Sequence, residues 1–176
     1  MTLRFDRPLA LACLLIFFTE GYSQVEREAW TLIDQSDFAL SYPAPWSLDQ
    51  SGQAGTKFIL FTGQNNSGFR DNVNLIIQDL KGSGFDLDKY VTLSEGQVKT
   101  MITNSQIIES KRMKSEQGEF QEVIFTGDQG VFHLKWRQRY WVKGEKAFVL
   151  TLTTSQTTYE QYTQVGRKFF DSFKLK

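Results

Sequence analysis

The run richest in side chains able to do chemistry is Phe132 to Lys143. There His133, Lys135, Arg137, Arg139, Trp141 and Lys143 alternate with Phe132, Leu134, Trp136, Tyr140 and Val142. A period of two is that of a strand with one face buried, so the cations share the other face. Arg137 and Arg139 are forked donors suited to a carboxylate or phosphate. With His133 and Trp141 they could form an anion-binding or partner-docking surface. The same row can also be a solvated sheet face, balanced by Glu119 and Glu122 on a neighbouring strand. Charge rows most often mean solvation, and the balanced face is the expectation here.

Other residue patterns fall short of a reactive site. His133 is the single histidine and Cys13 the single cysteine, too few for a structural metal cluster. No Gly-x-Ser-x-Gly elbow accompanies His133. Asp86-Leu87-Asp88 resembles the start of a calcium loop, but its sixth position is Val91 rather than glycine. A helix cap is the better use of Asp86. Gly82-Ser83-Gly84 lacks the third glycine of a dinucleotide loop. Asn65-Asn66-Ser67 is a glycosylation sequon that matters only on a eukaryotic secretory route. No catalytic residue, metal site or cofactor is expected.

The start of the chain bears on compartment. Arg4 and Arg7 precede an apolar run from Leu9 to Phe18, and Gly21-Tyr22-Ser23 places small residues before Gln24. This is the three-part pattern of a secretory signal, with an apolar core too short to span a bilayer comfortably. The expectation is a signal at residues 1–23, cleavage between Ser23 and Gln24, and one domain over 24–176, periplasmic or extracellular. Cys13 could instead mark a lipoprotein, but Ala10-Leu11-Ala12 matches the lipidation pattern poorly and the apolar run continues beyond it. Twenty basic and twenty acidic residues cancel, so no excess charge favours nucleic acid or anionic lipid. No second apolar stretch approaches spanning length.

The elements that must position these residues follow from periodicity. Trp30–Ile33, Phe38–Tyr42, Thr56–Thr62 and Asn72–Leu80 read as strands. Pro43 and Pro45 end the second, and Trp46 is available to plug one end of the core. Asp86 to Ile102 has helical spacing, with Leu87, Tyr90, Val91, Val98, Met101 and Ile102 on one side. Strands are expected near Gln106–Lys111, Glu119–Thr126, Val131–Val142 and Lys146–Thr154. The last two are joined by a Gly144-Glu145 hairpin with glycine at its first central position. Thr157 and Glu160 form a capping box for a final helix striped with Tyr159, Tyr162, Gly166, Phe169 and Phe173. Gly166 suggests close approach of that helix to a sheet. The order gives an α+β fold, a mainly antiparallel sheet flanked by helices.

The pattern Phe38-Ala39-Leu40-Ser41-Tyr42-Pro43-Ala44-Pro45-Trp46 resembles the PsbP-like superfamily, where a strand is followed by Tyr-Pro and Trp. So do Asn72-Val73-Asn74-Leu75, the helix after Asp86, the four-strand meander and the ending Phe170-Asp171-Ser172-Phe173-Lys174. The likeness runs from Trp30 to Lys174 and includes PsbP-related and DcrB-like exported bacterial proteins. It implies a central antiparallel sheet sandwiched by helices and supplies no catalytic residues. The expected function is therefore that of an exported, non-enzymatic envelope protein that binds a protein partner or a small ligand. A carboxylate-dependent hydrolase and a structural component of an envelope complex are the alternatives.

Overall fold

The computed structural model describes residues 29–63 and 68–176. The signal segment with Cys13, the cut after Ser23 and the sequon at 65–67 lie outside the described residues. In chain order the elements are β1 (Trp30–Asp34), β2 (Phe38–Pro43), β3 (Ser47–Asp49), β4 (Thr56–Phe61), β5 (Asn72–Asp79) and α1 (Leu87–Met101). Then come β6 (Thr103–Ser115), β7 (Gly118–Gln129), β8 (Phe132–Lys143), β9 (Lys146–Ser155), α2 (Thr163–Ser172) and β10 (Lys174–Leu175). Seven strands form the main sheet in the order β3-β4-β5-β9-β8-β7-β6, every neighbour antiparallel. A smaller sheet, β1-β2-β10, stands beside it. After β5 the chain runs through α1 to the far edge, and the β6–β9 meander brings it back to pair with β5. This is the expected α+β arrangement; β3 and β10 are additions too short to read from periodicity, and the expected strands β1 and β2 stand apart in the second sheet.

One helix lies on each face. On the α2 face, Phe169, Phe170 and Phe173 pack with Phe148, Leu150, Leu152 and Trp141 of the main sheet, and Phe38 and Leu40 of the small sheet join them. Burying each such side chain contributes about 1.5–3 kcal/mol, so this face is the principal source of stability. Trp46 plugs its end as expected, stacked 6.0 Å from Phe169 and edge-on to Tyr162 at 6.2 Å. A Cβ on Gly166 would lie 3.4 Å from Leu152 Cδ2, so helix and sheet do approach here, but at a distance that leaves room for a methyl group.

α1 is held more lightly. The Asp86 carboxylate accepts the Lys89 N–H at 2.8 Å, the cap expected of it. Of the apolar side read from spacing, only Tyr90 and Val98 are buried within the helix. Met101 was expected to face inward, but it is 77% exposed at the helix end.

Two local expectations are corrected. Thr157 and Glu160 do not form a capping box. A 3-10 turn at Tyr159–Tyr162 intervenes before α2, and neither helical segment has a side-chain cap at its start. The hydroxyls of this region serve a buried carboxylate instead: Thr158 Oγ1 donates to Asp71 Oδ2 at 2.7 Å, and the Ser155 N–H to Asp71 Oδ1 at 2.9 Å. The β8–β9 turn has positive φ at both Gly144 (56°) and Glu145 (57°). That is the type I′ geometry, whose twist matches the flanking strands, rather than one with glycine needed at the first position alone.

Candidate functional site

β8 places chemistry on both faces of the main sheet, because its side chains alternate. The odd positions, singled out by sequence, turn toward α2. Arg137 Nη2 donates to both Glu122 oxygens, at 3.0 and 2.9 Å, and Arg139 Nε donates to Glu122 Oε2 at 2.7 Å. Arg139 Nη1 reaches Asp171 Oδ1 of α2 at 3.0 Å. The guanidinium of Arg139 lies 4.9 Å from the Phe120 ring centroid and 5.1 Å from that of Phe170. Burial opposes ionisation of Glu122, but hydrogen bonds from Arg139 and Arg137 outweigh it and hold the carboxyl below its ordinary range.

The expected acidic balance is therefore present at Glu122. Glu119 has a different role, pairing with Lys114 at 3.0 Å. The expected solvation is not present. The Arg139 side chain is 8% exposed and Trp141 is 3% exposed, within the α2-face core. Alternation identified this as the face opposite the apolar one, yet the tertiary fold lays α2 and the small sheet over it. The accessible members are those at the two ends of the row, His133, its side chain 76% exposed, and Lys143. His133 Nδ1 meets Asp128 Oδ1 at 2.6 Å. The structure joins Arg137 and Arg139 through Glu122 and leaves His133 and Trp141 at opposite ends of the strand.

The even positions of β8 line a cleft beneath α1. Two adjoining cavities, of about 470 and 410 Å³, share Ile76, Gln129, Trp136, Gln138 and Val149 as common walls. Volumes of this order are those of small-molecule pockets. Neighbouring strands continue the floor in register: Asn72 opposes Thr153, Asn74 opposes Thr151, Thr151 opposes Gln138, and Thr153 opposes Trp136. Trp136 is stacked on Phe125 with centroids 5.0 Å apart and planes 15° apart. Gln138 Nε2 donates to Thr151 Oγ1 at 3.1 Å, and its Oε1 accepts the Tyr140 hydroxyl.

The helix side of the cleft is fixed at a few points. Tyr90 packs edge-on to Tyr140 at 5.8 Å, and its hydroxyl donates to Gln78 Oε1 at 2.5 Å. Burial pushes both phenols above their ordinary pKa, so they act as neutral hydroxyls. At the C-terminal end of α1 the close approach comes from Gly127, where a Cβ would sit 2.4 Å from Ile102 Cγ2. Among the described residues Asp128 is the only charged side chain lining either cavity. Hydrogen bonds from Asn104 and His133 hold its carboxyl below the ordinary range. Among the described residues no group of three or more His, Cys, Asp or Glu could hold a metal ion.

Sequence reasoning passed over this cleft. A signal was present: Gln138 interrupts the apolar alternation of β8, and Asn72, Asn74, Thr151 and Thr153 keep one face of β5 and β9 polar. What periodicity lacked was the register that aligns them. Three carboxylates, Asp37, Asp79 and Glu145, line a separate groove with Lys57, Lys81 and Lys146. Each accepts a local donor, from Lys146 Nζ, the Lys81 N–H and the Gly82 N–H respectively.

No protein-family model matches the chain, and no curated protein matches it by sequence. Solved structures do match. The solution structure of cyanobacterial PsbP (CyanoP) from Synechocystis has a TM-score of 0.64 at 12% identity, over 87% of this chain and 96% of that one. LpqN of Mycobacterium tuberculosis, described as involved in cell envelope biogenesis, has a TM-score of 0.62 at 13% identity, over 84% and 90%. PA94 of Pseudomonas aeruginosa, a protein of unknown function, has a TM-score of 0.60 at 12% identity, over 81% and 94%. Among the described residues no helix is long and apolar enough to cross a membrane. The order of strands, Tyr-Pro, Trp, helix and meander thus led to the right architecture: this chain has the PsbP-like α+β fold.

Proposed function

We propose that the chain is an exported envelope protein with a non-catalytic accessory role, and that it acts by binding a small ligand in the cleft between α1 and the main sheet. The observation that carries this reading is the contrast in how polar groups are used. Gln129 and Thr153 line the cleft without a side-chain hydrogen-bond partner among the described residues, whereas on the other face Arg137 Nη2 and Arg139 are held by Glu122 and Asp171. The atoms left unpaired on that face, Arg137 Nε, Trp141 Nε1 and Thr154 Oγ1, are sealed from any ligand. Polar groups with free valences on the wall of an open cleft are what a binding site offers a ligand. The envelope role of LpqN supports the compartment, as does the signal-like start of the chain.

The test is thermal melting against a chemically diverse small-molecule set, with Ser94→Phe as the control that fills the cleft from α1. Ser94 lines the cavity but is not in the core. A ligand present at about 100 times its Kd stabilises by about 2.7 kcal/mol, a shift of several degrees. The expected result is such a shift in the wild type and none in Ser94→Phe. No shift with any compound, or equal shifts in both proteins, would sink the proposal. Export is checked by the intact mass of the secreted protein. A form beginning at Gln24 supports it, and a mass retaining Cys13 plus lipid overturns soluble export.

A further inference from the structure

We propose that the ligand of the α1 cleft is a neutral saccharide, a mono- or disaccharide unit recognised by amide side chains around Trp136; this rests on the cleft being the binding site. The first argument is charge. Among the described residues no cation lines either cavity, and Asp128, the one carboxylate, is already engaged by Asn104 Nδ2 and His133 Nδ1, each at 2.6 Å. An ionic ligand would surrender its hydration here and gain no counter-charge, so an uncharged one is favoured.

The second argument is the type of polar group. Sugar hydroxyls both donate and accept, and amide and hydroxyl side chains do the same without charge. Gln78, Gln129, Gln138, Asn74 and Thr153 supply five such groups. Some are partly committed: Gln138 bonds Thr151 and Tyr140, Gln78 Oε1 accepts from Tyr90, and Asn74 Nδ2 approaches Asn72 Oδ1 at 3.5 Å. That leaves Gln78 Nε2, Asn74 Oδ1, and the whole side-chain polar groups of Gln129 and Thr153 with no partner among the described residues. Both donors and acceptors are on offer across the two adjoining cavities.

The third argument is the aromatic wall. Trp136 belongs to both cavities and is braced by Phe125 stacked behind it. A rigid indole presents a large apolar surface at little entropic cost, and it suits the C–H face of a pyranose ring. A purely apolar ligand would instead strand the amides, which makes it the poorer match.

The experiment is calorimetric titration of the purified protein with methyl glucoside, maltose, cellobiose and N,N′-diacetylchitobiose. Gluconate, glucosamine, N-acetylalanine methylamide and dodecanol serve as charged, amide and apolar comparisons. The expected result is binding of at least one neutral saccharide, with its charged analogues weaker by about tenfold or more. Trp136→Ala and Gln129→Ala should each weaken it by up to about tenfold. Gln129 is exposed and outside both cores, so its variant tests the site even if Trp136→Ala does not fold. Silence of every saccharide overturns the proposal. If a comparison compound then binds and Ser94→Phe abolishes that binding, the cleft stands as the site and only the ligand class is wrong.

Discussion

The two faces of the main sheet are built from the same strands yet differ in what they do with polar groups. On the α2 face the charges are paired with one another, and the polar atoms left over, such as Arg137 Nε and Trp141 Nε1, are sealed from solvent. Glu122 holds two arginines, one arginine holds α2 through Asp171, and phenylalanine rings fill the rest. On the α1 face the longer helix buries only two of its residues and leaves a cleft floored with amides, hydroxyls and one braced indole. The contrast teaches that conspicuous charge is a poor guide to function in this chain. The basic row secures the fold, while neutral side chains that attract no notice in sequence are the ones left free.

If the α2 face is the stabilising one, Phe169→Ala should be the most damaging single change. Phe169 is fully buried, and truncation of such a ring costs about 3–5 kcal/mol. Urea unfolding should show a lower midpoint with unchanged slope, and a loss below about 1 kcal/mol would break the comparison.

Arg139→Ala comes next. It strips a buried carboxylate of one of its two partners and releases Asp171, at a cost of about 2–3 kcal/mol. The same network has an acid signature. Glu122 has a folded-state pKa below its ordinary 4.5. Its contribution is therefore fully present above pH 4.5 and is lost as pH falls through the lowered folded value. Stability measured from pH 6 downward should fall less steeply below 4.5 in Glu122→Gln than in the wild type. Parallel acid limbs would remove Glu122 from this role.

A pair of glycines sharpens the difference in packing. Gly127 faces Ile102 Cγ2 at 2.4 Å and Thr103 O at 3.1 Å from a hypothetical Cβ. Gly127→Ala must therefore push α1 off β7, for a loss of about 1–3 kcal/mol. At Gly166 the nearest atom is 3.4 Å away, the movable end of Leu152. Gly166→Ala should be neutral or gain up to about 1 kcal/mol from helix propensity. A reversed order in paired melts would contradict the geometry at both helix contacts.

The smallest effect on stability is expected at the cleft. Gln129→Ala should move it by no more than about 0.5 kcal/mol, as for other exposed positions without partners. Together with the affinity change expected above, this separates a residue kept for ligand from one kept for fold.

The strands other than β3 and β10, both helices and the α+β order were legible because each rests on local periodicity: Phe38, Leu40 and Tyr42 alternate, and Phe169 and Phe173 fall four apart. Asp86 was legible as a cap because its partner, the Lys89 N–H, is three residues away. Thr157 failed as a cap for the opposite reason. The hydroxyls beside it answer to Asp71, more than eighty residues earlier, and no local pattern announces that.

The α1-face cleft was missed on similar grounds. Asn74, Thr151 and Gln138 become one surface only through the pairing of β5, β9 and β8. By itself, then, the sequence determined the alternation of β8, which puts Arg137, Arg139 and Trp141 on one side and Trp136 and Gln138 on the other. Which side is dry was decided by tertiary structure. α2 and the small sheet carry enough aromatic surface to cover the basic row once Glu122 and Asp171 neutralise it. α1, with two buried residues, has too little to seal the face it crosses.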